Sequence, residues 1–134
     1  MDNLQAFAQS ILKAQPFSQL LGAELTRFES GKAELALRLT DSLKQQHGFA
    51  HGGVVSYLAD NALTFAGGSV LGDAVTSEFK INYLRPAIGE RLIARAESLH
   101  AGKQQAVCQC EIYAVDAQGV EKLCAVAQGT IVKV

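Results

Sequence analysis

The stretch from Gly52 to Leu71 is apolar nearly all round, yet Asp60 stands near its middle with Asn61 beside it. Its length approaches that of a membrane span. An aspartate at mid-bilayer costs about 2.5–3.5 kcal/mol on insertion scales, and Gly67-Gly68 lies beyond it, so a membrane helix is disfavoured. Leu58, Ala62 and Phe65 share one helical stripe while Val54 and Val55 lie elsewhere, and a helix apolar on every side is enclosed by protein. The expectation is a long buried helix from Gly52 to about Val70, around which the rest of the chain must fold.

At 134 residues, 49% hydrophobic and 19% charged, the chain has material for one core and one domain, spanning 1–134. Leu4, Phe7, Ile11 and Leu12 have helical spacing, with Asp2 or Asn3 as cap, and predict a short amphipathic helix ending before Pro16. Residues 23–29 and 32–39 flank Ser30-Gly31, and Ala33, Leu35, Leu37 and Leu39 alternate with Glu34 and Arg38, which predicts a hairpin with one buried face. After the long helix, 76–84, 91–100, 104–115 and 123–134 read as strands separated by turns. Runs this long suit one strongly curved sheet better than a compact sandwich. The fold class is α+β, a single antiparallel sheet curled over the central helix.

Twelve Lys and Arg against thirteen Asp and Glu leave no positive excess to neutralise a phosphate backbone, so nucleic acid is not an expected partner. The start, MDNLQAFAQSILKAQ, lacks the charge pattern of a secretory signal, and three cysteines form an odd set, so a reducing cytoplasm is expected. Cys108 and Cys110 fall on one strand face and Cys124 stands apart, giving no thiolate zinc set; all three read as core residues. His47 and His51 have i, i+4 spacing but precede the helix and flank Gly48, so no metal site is expected there. His100 is expected to be exposed.

Two features carry chemistry. A desolvated carboxylate at Asp60 needs a partner, and buried ionisable groups concentrate at functional sites. The plainer alternative is a carboxylate satisfied by Ser56 or Thr64, one helical turn away. At His51-Gly52-Gly53 the helix begins with unpaired N–H groups and the positive end of its dipole, where an oxyanion forming on a carbonyl is stabilised. Asp60 lies eight residues after Gly52, about 12 Å along one helix at 1.5 Å per residue. If the two act on one carbonyl, they must come from different subunits of a two-fold dimer.

Gln45-x-His47-Gly48-x-x-His51-Gly52-Gly53, then Leu58-Ala59-Asp60-Asn61-Ala62, then Ile81-Asn82-Tyr83-Leu84-Arg85-Pro86 together resemble the hotdog-fold thioesterases of the phenylacetate-degradation (PaaI-like) branch across nearly the whole chain. The resemblance implies hydrolysis of an acyl-coenzyme A thioester without metal or bound cofactor, by a homodimer or dimer of dimers. It implies that Asp60 is general base or nucleophile and that Gly52 and Gly53 polarise the thioester carbonyl. In the same comparison His51 orients the leaving thiol region and Thr76 positions the attacking water. Gln45 departs from the asparagine of many relatives. Asn61, Tyr83 and Pro86 belong to the matching motifs and are expected at the substrate, while Lys80, Arg85 and Arg91 are candidates for the anionic coenzyme.

Two rival readings use the same fold. One is a non-catalytic acyl-coenzyme A binding or sensing domain, for which an added DNA-binding segment would be expected and has no room here. The other is a hydratase or dehydratase acting on the acyl chain, whose histidine and acid must converge on the Cα–Cβ bond. Aromatic, medium-chain and short-chain acyl groups are all compatible with the sequence, with Phe49, Tyr57, Leu63 and Phe65 as candidates for setting pocket depth.

Overall fold

The computed structural model describes residues 3–134. The chain opens with helix α1 (Asn3–Lys13), whose Ala8 and Leu12 are buried. Asn3 is its first helical residue, and the alternative cap, Asp2, lies outside the described residues. A second helix, α2 (Pro16–Leu21), follows at once where the sequence reading has only a stop. Proline ends a helix but also starts one well, because its fixed φ suits the first turn and its missing N–H would have no partner there. Gly22, at φ +75°, closes α2 by donating its N–H to the Gln19 carbonyl.

Strands β1 (Glu24–Glu29) and β2 (Lys32–Arg38) form the expected hairpin, with Ala33, Leu35 and Leu37 buried. A short 3-10 turn (Asp41–Leu43) leads to the long helix α3 (Gly52–Leu71). Four strands follow: β3 (Ala74–Tyr83), β4 (Arg91–Ala101), β5 (Gln105–Val115) and β6 (Glu121–Lys133). All pair antiparallel in one sheet of order β1-β2-β4-β5-β6-β3. This sheet curls round α3, which touches every strand. Leu58, Ala62, Leu63 and Ala66 of α3 meet Leu35, Leu92, Ile112 and Ile131 in one continuous core.

Where α3 crosses β6, contact is close enough to require a glycine. A Cβ placed on Gly67 would sit 2.6 Å from the Ile131 Cβ. Gly67→Ala is therefore expected to destabilise the protein by about 1–3 kcal/mol through overpacking, despite alanine's better helix propensity. Denaturant midpoints measure this, and an unchanged or raised midpoint would show that the helix can lift off the sheet freely.

The structure corrects one expectation about α3. It is not enclosed on all sides, because one curled sheet and two short helices leave a strip uncovered within the chain: Ser56, Tyr57, Asp60, Asn61 and Thr64 are only half-buried. Beside this strip runs β3, an edge strand with no buried residue. The opposite edge, β1, packs against α1, and Gln9 Nε2 donates to the Leu25 carbonyl at 3.0 Å.

The inner face of β3 depends on a bulge. Thr76 pairs with Ile131 and Glu78 with Thr130, leaving Ser77 as an extra residue. Strict alternation from Thr76 would turn Glu78 and Lys80 toward the helix. With the bulge, Thr76, Phe79 and Ile81 are half-buried, and Ser77, Glu78 and Lys80 face outward.

Candidate active site

Asp60 projects from the uncovered strip of α3, and its partner comes from across the strip. Thr76 Oγ1 donates to Asp60 Oδ1 at 2.6 Å. The Thr64 hydroxyl lies 2.7 Å from Thr76 Oγ1 and 2.8 Å from the Asp60 backbone carbonyl. Two hydroxyl hydrogens thus serve three contacts, and with Thr76 committed to the carboxylate, Thr64 donates either to Thr76 or to the helix carbonyl. The expected alternative, satisfaction of the carboxylate by Ser56 or Thr64 along the helix, is not what the structure shows. Thr64 braces Thr76 rather than the carboxylate itself. Asp60 Oδ2 has no hydrogen-bond partner among the described residues and stays open to the strip.

The start of α3 is capped by its own histidine. His51 has extended backbone geometry, φ −62° and ψ 135°, and its Nδ1 accepts from the Gly53 N–H at 2.8 Å. A neutral imidazole bonded in this way carries its proton on Nε2. The Gly53 N–H is therefore occupied in this conformation, while the Gly52 N–H has no acceptor among the described residues. Of the two glycines expected to polarise a carbonyl, Gly52 is the one with a free donor. Tyr83 closes over it, donating its hydroxyl to the Gly52 carbonyl at 2.9 Å.

A cleft of about 380 Å³ opens at this helix end, lined by Gln45, Phe49, Gly52, Tyr83, Arg85 and Pro86 among others. Gln45 Oε1 accepts from the His47 backbone N–H, and its backbone N–H donates to the Phe49 carbonyl at 2.9 Å, so the residue braces the loop before α3. Its Nε2 has no hydrogen-bond partner among the described residues and remains a donor at the cleft. Arg85 borders the same cleft; Lys80 and Arg91 are exposed and do not line it. Gly52 and Asp60 lie about 12 Å apart along α3, so one chain presents the two halves of the expected site at separate places.

Other expectations resolve by position. Leu63 and Phe65 are buried in the core of the chain, Phe65 packing edge-on against Phe28 at 6.1 Å. Phe49 stacks on His47 with centroids 6.0 Å apart and lines the cleft. Asn61 turns toward α2, its Nδ2 donating to Gln15, Ser18 and Tyr57. The three cysteines are buried and unpaired. Burial pushes the Cys108 thiol up to about 11 and the Cys110 thiol up to about 12, which keeps both protonated and unreactive near neutral pH.

The fold, a sheet wrapped on one long helix whose exposed strip carries a single carboxylate, is that of the hotdog thioesterases. The sequence profile of the thioesterase superfamily matches residues 47–121, spanning the loop before α3 through the start of β6. The acyl-coenzyme A thioesterase PaaI of Escherichia coli is 32% identical over 106 residues, covering 78% of this chain and 76% of that protein. The 1,4-dihydroxy-2-naphthoyl-CoA hydrolase of Listeria monocytogenes is 31% identical over 116 residues, covering 84% and 91%. A crystal structure of a thioesterase family protein from Silicibacter pomeroyi superposes with a TM-score of 0.89 at 35% identity, covering 94% of this chain and 96% of that one. The chain belongs to the thioesterase superfamily, in its PaaI-like branch, and is a thioester hydrolase.

Proposed function

We propose that the chain hydrolyses acyl-coenzyme A thioesters in a homodimer whose two sites each combine Asp60 of one subunit with the Gly52 helix start of the other. One observation carries this reading: a carboxylate held by Thr76 through one oxygen, with the other free, on a helix strip left bare beside an unpaired edge strand. Two such strips meeting about a two-fold axis would join β3 to its symmetry mate and bring each helix start toward the opposite carboxylate. The substrate carbonyl receives the Gly52 N–H, which supports the negative charge that develops on its oxygen. Asp60 then acts as general base on water or as the attacking nucleophile. As base, Asp60 takes a proton from the water whose oxygen replaces sulfur on the carbonyl carbon, and the departing thiolate takes up that proton. As nucleophile, its carboxylate displaces the thiolate, which solvent protonates, and water then cleaves the resulting anhydride to the free acid and the carboxylate.

Arg85 at the cleft suits the phosphates of the coenzyme, and Gln45 Nε2 is a donor for the thioester or its water. The curated relatives named above as acting on coenzyme A thioesters support this substrate class. Release of free thiol, followed across a panel of aromatic, short-chain and medium-chain acyl-coenzyme A compounds, tests the proposal. Release from at least one is expected; release from none would overturn it in favour of a binding domain.

A further inference from the structure

Beside Asp60, on the flank of α3 away from Thr76, four polar side chains tie α2 to the long helix. Ser18 Oγ donates to Gln15 Oε1 at 2.6 Å and accepts from the Tyr57 hydroxyl at 2.6 Å. Asn61 Nδ2 reaches Gln15 Oε1 at 3.0 Å and the Tyr57 hydroxyl at 3.1 Å. Ser18, at 1% exposure, is the one fully buried polar side chain among the described residues. Six residues are too few for α2 to be stable by itself; its Leu21 packs against the core, while Phe17 and Leu20 are exposed. Beside that apolar contact, the hydrogen bonds of Ser18 tie it directly to α3. They hold the Phe17 ring edge-on to Tyr57, centroids 5.3 Å apart at 85°.

Tyr57 stands three residues before Asp60, on the neighbouring face of the same turn. Thr76 of β3 holds Asp60 from across the strip. Tyr57, and the Phe17 ring packed edge-on to it, flank the same strip.

We propose that α2 is the wall that ends the acyl group's path, and that the Ser18 hydroxyl, through Tyr57 and Asn61, is what keeps the wall in place. The inference rests on the acyl-thioester reading above and adds the element that sets acyl size. Ser18 is then a positioning residue that touches no reacting atom. Short acyl groups end before the wall and do not sense it; long ones must displace α2.

The test compares acetyl- and dodecanoyl-coenzyme A as substrates of Ser18→Ala. Turnover of the acetyl compound is expected to match wild type, while the dodecanoyl-to-acetyl ratio of kcat/KM rises at least about tenfold, the discrimination that one methylene commands in an apolar pocket. Tyr57→Phe keeps the ring and removes the donor, so it moves the ratio in the same direction and carries the test should Ser18→Ala not fold. A ratio unchanged in the folded variants, or an equal loss for both substrates, would overturn the wall while thiol release by the wild type leaves the proposed function standing. Absence of release by the wild type from every acyl-coenzyme A overturns both.

Discussion

Asp60→Asn is expected to lower kcat by about 10²–10⁴-fold, the range ascribed to a positioned general base, with the fold intact. The amide matches the carboxylate in volume and its oxygen still accepts from Thr76, so the contact that fixes the side chain survives. What disappears is the capacity of Oδ2 to take a proton or to attack. Thiol-release rates, read beside thermal unfolding, separate the two contributions. Activity within a few-fold of wild type, with stability unchanged, would remove Asp60 from the mechanism under both of its candidate roles.

The second large effect concerns the Gly52 N–H. Gly52 is the first residue of α3, where proline is well tolerated, and His51 before it already has the extended backbone that proline demands of its predecessor. A Cβ placed there would lie 3.3 Å from the Tyr83 hydroxyl, a contact that a small ring shift relieves. Gly52→Pro thus deletes one donor with little else, and loss of a single oxyanion donor costs about 10²–10³-fold in kcat. Mixing this variant with Asp60→Asn gives the sharper result. In a heterodimer with shared sites, one site holds both defects and the other neither, so activity returns toward half of wild type. If both groups act within one subunit, each site holds one defect and nothing returns. Verified heterodimers without recovered activity would therefore overturn the shared site.

The long helix and the strands after it are legible in the sequence because their signals are local: an apolar run of helical length, then alternating runs bounded by turns. The bounds of α3 fall within one residue of the expected Gly52 to Val70. α2 is not legible, since Pro16 serves as stop and start at once and the six residues after it carry no periodicity long enough to register. Thr76 emerges only through resemblance, because its place beside Asp60 depends on a bulge that no single residue announces. The occupied Gly53 N–H was equally hidden: a histidine before two glycines gives no sign that its ring folds back onto the second. The Ser18 network follows from α2, and without that helix Ser18 looks like one more surface serine.

Ser77 has no chemical duty in any of this, yet the site depends on its being present. It makes the count between Thr76 and Phe79 odd-for-even, so that one hydroxyl and two apolar side chains share the inner face of the same strand. Its identity is nearly free, while its existence is not. Deleting it would reverse the parity of everything on one side of the gap, turning Thr76 to solvent or Phe79 and Ile81 out of the core. In this strand the geometry around Asp60 is encoded by chain length rather than by residue type, a kind of information that substitution scanning passes over and single-residue deletion exposes.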